Sequence, residues 1–337
     1  MLLLSLFSEY THTELILFGV FAAMIVIFMV VDLGLLNRQA HKITTKSALY
    51  QSIFWVTVST AFGYLVYQGG PYEVIEEGVR VVTSGTDAAI LYFSAYLTEY
   101  ALSVDNIFVI LLILKYFKVK EEYFHKVLFW GIIGAVFFRG IFIFVSAIII
   151  HQIKWILYVF GVFLIYSGIK IYFEDSDEKI DPEKNPIMRL CRKFLPISQD
   201  DAGGNFTIRE AGKFMFTPLF LVVILIETTD LLFAVDSIPA AFAITQNEFL
   251  IYTSNIFAVL GLRAMFFLLA GIIDKFYLLQ KGLSVILFFI GAKMLLEIVH
   301  IEIPVVISFC VIIATLTLAI VFSILVPKKE KEPEAAD

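Results

Sequence analysis

Five carboxylates lie inside apolar stretches of this chain. Glu99 and Asp105 fall in LYFSAYLTEYALSVDNIFVILLIL, and Glu227, Asp230 and Asp236 in FMFTPLFLVVILIETTDLLFAVDSIPAAFAI. An ionised carboxylate at mid-bilayer costs roughly 2.5–3.5 kcal/mol on insertion scales, so each needs a cationic partner, a proton or a bound metal ion. Neutral oxygens accompany them. Ser103 and Asn106 flank Asp105, while Thr228, Thr229 and Ser237 flank the acids of the second stretch. Oxygen donors without a Cys or Met cluster suit a divalent cation such as manganese, calcium or magnesium rather than a thiophilic metal.

Spacing decides which acids can act together. Glu227 and Asp230 are three apart and share a helix face. Glu99 and Asp105, like Asp230 and Asp236, are six apart, which in an ideal helix means a rise of about 9 Å and a rotation of about 120°. A single regular helix therefore cannot close such a pair around one ion, and two helices must meet. Pro239, four residues after Val235, predicts a broken helix that frees a carbonyl beside Asp236. The opposing reading is structural ion pairing with Arg139, Arg263 and Lys293, which also lie within apolar stretches. These three are candidate gate or auxiliary residues, together with Asp32 and Asn255. Asp32 sits near the inner end of the first stretch, as a cap or a gate. Asn255 is a ligand or a helix–helix bond. Five acids against three cations favour a cationic cargo over an anionic one.

The elements that must position these residues are membrane spans. The 337 residues are 60% hydrophobic and 17% charged, against about 25% charged for an ordinary soluble domain, and the mean hydropathy is +0.88. Nine apolar runs of spanning length are expected, at 15–36, 48–68, 88–114, 127–147, 153–173, 214–244, 250–271, 282–299 and 303–326. The first has no basic flank or small-residue cleavage site of a signal peptide, so it reads as a retained span. With the N-terminus outside, 19 of the 25 Lys and Arg residues fall on the inside, and Arg80 and Lys154 fall outside. That bias places the C-terminus inside. Residues 1–330 form one transmembrane domain, and 331–337 a polar cytoplasmic tail.

Within this domain the chain repeats itself. Setting Glu99 against Asp230 and Asp105 against Asp236 gives one offset of 131 residues. Further along, Arg139 matches Arg263, Gly168 matches Gly291, Lys170 matches Lys293 and Glu174 matches Glu297. The first repeat spans 88–174, the loop 175–213 is cytoplasmic, and the second repeat spans 214–300. An odd number of spans per copy makes the repeats inverted in topology, an architecture that suits alternating access to a midplane site. The expected class is an all-α polytopic membrane protein with two inverted three-helix repeats.

Other chemistries are weakly supported. Cys191 and Cys310 make neither a disulfide framework nor a CxxC site. The five histidines are scattered near termini and loops, against a histidine metal centre. No GxGD, HExxH or Walker motif is present, so the chain is not read as an enzyme and no organic cofactor is expected. The net charge of −6 and the absence of a basic, aromatic-interleaved surface exclude nucleic acid as a partner. The loop turns from acidic EDSDEKIDPEKNP to basic MRLCRKFLP, the pattern of a solvated linker ending in a short interfacial helix. DDAGGNF near 200–206 lacks the ligand ladder of a calcium loop and reads as a turn.

The segments EYALSVDNIF at 99–108 and TDLLFAVDSIPA at 229–240 resemble the paired signatures of the TerC family, bacterial integral membrane proteins named for tellurium resistance. DLG at 32–34 and FRG at 138–140 fit the same pattern. The resemblance covers nearly the whole chain and is strongest toward the Alx branch, associated with manganese efflux and an alkaline-pH response. It implies a nine-span exporter of the inner membrane, related to the wider lysine-exporter superfamily, that moves Mn2+ or another cation such as Ca2+. Protons are the expected exchange partner. The motif match implies Glu99, Asp105, Asn106, Asp230, Asp236 and Ser237 as metal-site residues, and Glu227 joins them through its shared face with Asp230. A membrane assembly or stress-response role without transport is the alternative. Neither residues nor resemblance fix an oligomeric state.

Overall fold

The computed structural model describes residues 12–36, 45–76, 79–152, 155–173, 195–198, 202–210, 213–269, 278–296, 298, 301 and 303–325. Among them are nine long helices. They are α1 (His12–Leu36), α2 (Thr45–Gly69), α3 (Gly85–Tyr116), α4 (Glu121–Gln152) and α5 (Ile156–Phe173). After the loop come α6 (Pro218–Ile244), α7 (Glu248–Leu269), α8 (Leu279–Leu296) and α9 (Val305–Leu325).

Six of them, α1, α2, α4, α6, α7 and α9, are long and apolar enough to cross a membrane. The chain is therefore a multi-pass membrane protein. The other three are α3, α5 and α8. Helix α3 carries Asp87, Glu99 and Asp105. Helices α5 and α8 have 18 residues each, about 27 Å of helix, slightly short of a hydrocarbon core of about 30 Å.

Burial sorts the helices into layers. In α7, 94% of a membrane-length window is buried, against 22% in α1 and α9. Helix α7 is thus the central post, packed by α2, α3 and α4, while α1 and α9 stand at the periphery. An aromatic cluster of Phe21, Phe62, Tyr92, Phe249 and Phe257 fills the space between α1, α2, α3 and α7. The start of α7 is tied to α1 by Asn247, which accepts from the Leu250 N–H at 3.0 Å as a helix cap and donates to Glu14 Oε1 at 3.0 Å.

Two short hairpins add strand to the helical expectation. Tyr72–Glu76 (β1) pairs antiparallel with Val79–Thr83 (β2), with Tyr72 opposite Thr83. Their β-branched composition suits a pleated ribbon. The Tyr72 hydroxyl donates to the Val66 carbonyl at 2.7 Å and its ring stacks on Phe249, which pins the ribbon to the bundle. Ser84 then caps α3, accepting from the Asp87 N–H at 3.1 Å and donating to its carboxylate at 2.7 Å.

The second hairpin corrects a span boundary. Thr207–Glu210 (β3) pairs with Lys213–Phe216 (β4), so the segment expected as a span from 214 begins as strand. Pro218 at the first helical position starts α6 only after Thr217, whose hydroxyl bonds the Asn205 carbonyl at 2.6 Å. A further correction concerns Pro239. Helix α6 runs unbroken through it to Ile244, with its neighbours Ile238 and Ala240 buried against other helices that hold the backbone in place. Gly203 and Gly204 adopt left-handed φ values of 60° and 83°, the turn expected there. The basic segment 188–194 and the tail 331–337 lie outside the described residues.

Helices α5 and α8 make the tightest seam. A methyl group added to Gly291 would lie 2.6 Å from the Gly161 carbonyl, and one added to Gly168 would lie 2.7 Å from the Ser284 carbonyl. Backbone cannot yield as a side chain can, so bulk here must push the helices apart. Gly168→Val should lower the stability of the purified protein by about 1–3 kcal/mol, read from thermal unfolding in detergent. Gly19→Ala, at a helical glycine where an added methyl meets no packing atom within 4 Å, should not lower the transition.

Candidate cation site

Arg139 organises the interior charge. It is fully buried on α4 and reaches three other helices. Its Nε and Nη2 donate to the two carboxylate oxygens of Asp230 on α6, at 2.9 and 2.8 Å, the two-pronged geometry that suits a guanidinium. Its Nη1 donates to Glu99 Oε1 on α3 and, at 3.0 Å, to Asn255 Oδ1 on α7. Asn255 closes the ring by donating through Nδ2 to Glu99 Oε2 at 2.9 Å. Two carboxylates that match each other in the repeat alignment are thus held by one arginine. Asn255 is a helix–helix bond here, and the pairing alternative is realised for Glu99 and Asp230.

Glu227 is different. It stands one helical turn from Asp230, yet neither of its buried carboxylate oxygens has a hydrogen-bond partner among the described residues. Gly134 makes room for it, since a Cβ there would overlap the Glu227 carboxylate. Gly131, one turn earlier on α4, leaves further space, and a Cβ there would lie 3.7 Å from Glu227 Oε1. Glu227 borders a cavity of about 380 Å³ lined also by Trp130, Ile133, Gly134, Phe206, Thr207, Phe220 and Val223.

The neutral oxygens around the remaining acids are also buried. Ser103 is fully buried, and Asn106 and Ser237 are nearly so. Ser103 Oγ, Asn106 Oδ1 and Ser237 Oγ have no hydrogen-bond partner among the described residues. The side chains of Asp105, Asp236 and Asp32 lie outside the described residues, although the backbone places them on α3, α6 and α1. Arg263 and Lys293 are buried on α7 and α8. Among the described residues no group of three or more His, Cys, Asp or Glu side chains is placed to hold a metal ion.

Several contributors escaped sequence reading. Tyr92, Tyr96 and Tyr100 stack in a column along α3, with ring centroids 6.5 and 5.6 Å apart. Their four-residue spacing was a usable signal. Trp130 and Phe206 meet edge to face at 6.2 Å across 76 positions of sequence, for which no local pattern exists.

The Arg139 network sets up a stability test. Removing one member of a buried charge pair strands the other, at about 3–5 kcal/mol, whereas replacing the whole set by neutral groups is far milder. Arg139→Met should therefore collapse the yield of folded protein on size-exclusion chromatography. Adding Glu99→Gln and Asp230→Asn to Arg139→Met should restore most of it.

Comparison with known proteins agrees with this architecture. Residues 84–331 match the integral membrane protein TerC family. An uncharacterized membrane protein of Myxococcus xanthus is 40% identical over 306 residues, covering 90% of this chain and 91% of its own length. An uncharacterized membrane protein of Rickettsia bellii is 39% identical over 306 residues, covering 91% and 96%. Alx of Escherichia coli K12, described as a candidate membrane-bound redox modulator, is 40% identical over 309 residues, covering 91% and 94%. No solved structure matches the chain. With the family match covering both acidic stretches and the similarity extending over nine-tenths of the chain, the protein belongs to the TerC family of integral membrane proteins, on the branch that includes Alx.

Proposed function

We propose that the chain is a secondary transporter of the inner membrane that exports a divalent metal cation, Mn2+ foremost and Ca2+ next, in exchange for protons. The observation that carries this reading is the concentration of buried oxygen and charge on α3, α4, α6 and α7. Glu99, Arg139, Asp230 and Asn255 form its paired half. Glu227, Asn106, Ser103 and Ser237 supply buried oxygens without hydrogen-bond partners among the described residues. Asp105 and Asp236 are adjacent to Asn106 and Ser237 and complete the proposed ligand set.

The roles follow from charge. Arg139 acts as the resident counter-ion that keeps Glu99 and Asp230 inside the membrane while the site is empty. Asp105, Asn106, Asp236 and Ser237 supply oxygen ligands, and Glu227 adds a carboxylate with no fixed partner. A divalent ion entering this layer displaces protons from the acids that hold them, which couples export to proton entry. Arg263, Lys293 and Asp32 are assigned to gating.

The seam between α5 and α8 supports inverted repeats, and the distribution of Lys and Arg supports an outside N-terminus and an inside C-terminus. The 123-residue offset that carries Gly168 to Gly291 also carries Gly161 to Ser284. Under that exchange the Gly161–Gly291 contact becomes the Ser284–Gly168 contact, and both are present. A two-fold relation between the repeats requires such reciprocity.

Redox modulation, the description borne by the Escherichia coli relative, finds less support. Cys310 is exposed on α9, and Cys191 lies outside the described residues.

Purified protein in sealed vesicles should move Mn2+ in the direction opposite to protons running down an imposed gradient. Asp105→Asn and Asp236→Asn should each lower the rate at least tenfold while leaving membrane insertion and the size-exclusion profile unchanged. Intact folding without metal flux in the unmodified protein would sink the transport reading, and loss of insertion in both variants would assign these acids a structural role.

A further inference from the structure

The Arg139 network has a second solution written in the repeats. Their alignment sets Glu99 against Asp230 and Arg139 against Arg263. Exchanging the two copies therefore returns the same pair of acids and replaces one arginine by the other. The two-pronged Asp230 contact of Arg139 becomes a Glu99 contact of Arg263, and the Glu99 bond to Arg139 becomes an Asp230 bond to Arg263. In this structure Arg139 holds both acids. Arg263 is buried on α7, eight residues beyond Asn255 and so about 12 Å along the helix axis from the amide that Arg139 grips.

Packing around the acids is correspondingly one-sided. Where α4 meets α6, Ile133, Val223 and Glu227 border the cavity of about 380 Å³. Their counterparts where α3 meets α7 are Phe257, Tyr92 and Tyr96, which are buried together in the aromatic cluster. One crossing is loose and its counterpart is filled, the asymmetry that inverted repeats take up in each of two opposite-facing states. Asn255 weights the choice between those states. The 124-residue offset that carries Arg139 to Arg263 also carries Gly131 to Asn255. Asn255 bonds both Arg139 and Glu99, and after exchange a glycine stands in its place, so these two hydrogen bonds belong to the present state alone.

We infer that Glu99 and Asp230 are handed between two arginines, Arg139 in the state seen here and Arg263 in the opposite-facing state, with the Asn255 amide weighting the equilibrium toward Arg139. An arginine stays on the acids in both states, so the handover leaves the charge of the pair matched and changes only which crossing is closed. Its purpose rests on the transport reading, whereas its geometry rests on the repeats. The test separates the two, because it is carried out without metal or flux.

Hydrogen–deuterium exchange of the full-length protein in lipid nanodiscs reads both crossings. Asn255→Ala removes the bonds confined to the present state. Gly131→Asn supplies the matching amide to the other state, at a position where an added Cβ meets Ile226 at an ordinary 3.5 Å. In each variant residues 85–96 and 248–257, at the filled crossing, should take up deuterium at least twofold faster, and 121–133 and 218–227, at the loose crossing, at least twofold more slowly. Adding Arg263→Gln to Asn255→Ala should cancel that opposed pattern, because the second state then lacks its arginine. Faster uptake in all four segments, unchanged uptake in both single variants, or an opposed pattern that persists without Arg263 would each overturn the handover. Absence of Mn2+ flux in the unmodified protein would strike the transport reading and leave the exchange result standing.

Discussion

The Arg139 network is the constraint to which the interior of this protein answers. A guanidinium at membrane depth is tolerable only when its donors are met, and here they are met from α3, α6 and α7 at once. The planar fork fixes direction as well as distance, so the Asp230 carboxylate must lie coplanar with Arg139 while Glu99 approaches Nη1. Moving any of the four helices by an ångström or two breaks a charged hydrogen bond in a medium that offers no water in exchange. The central burial of α7 follows from the same demand, since Asn255 must stand between the acid and the arginine to close the ring.

The seam of α5 and α8 solves a complementary problem by opposite means. Where the arginine network joins helices through charge, Gly161, Gly168 and Gly291 join them through absence of side chain, bringing backbone against backbone. In lipid, close van der Waals packing of this kind takes over the role that apolar burial has in water. In the alignment of the two repeated stretches, several charged positions match while other polar positions do not. Gly131 stands where the second copy has Asn255, and Tyr96 where it has Glu227. Similar frames thus carry unequal charge, and that inequality concentrates the unpartnered carboxylate on one side of the interior.

Much of this was legible in the sequence because a bilayer restricts the alternatives. Nine apolar runs became nine helices among the described residues, with ends shifted by a few residues where caps or strands intervened. The helix starts moved for chemical reasons. Ser84 and Asn247 cap α3 and α7 a little before the apolar runs begin, whereas Pro218 delays α6. The acids were found because charge is anomalous in an apolar run, and Arg139 and Asn255 for the same reason. What could not be read was how a donor is shared. One-dimensional spacing shows that Arg139 matches Arg263, but it cannot show that Arg139 alone takes both Glu99 and Asp230. Nor could it find the cavity beside Glu227, whose walls come from three segments widely separated in sequence. The proline signal misled, because packing on both sides of Pro239 keeps α6 helical through it.

The difference between paired and unpaired acids bears on how an exchanger with this interior would work. A guanidinium keeps its proton under all conditions relevant to a protein, so Arg139 cannot vary the charge of the layer by titrating. Glu99 and Asp230 are each bonded to it. In the transport reading the variable charge comes from acids outside the network. Among the described residues Glu227 meets that condition, with both oxygens buried and unbonded. Asp230 lies one turn away, so a positive charge arriving at Glu227 is also felt by the carboxylate that Arg139 holds most firmly. In the transport reading the arginine network is then a fixed electrostatic floor, and the cargo competes with protons for the acids above it.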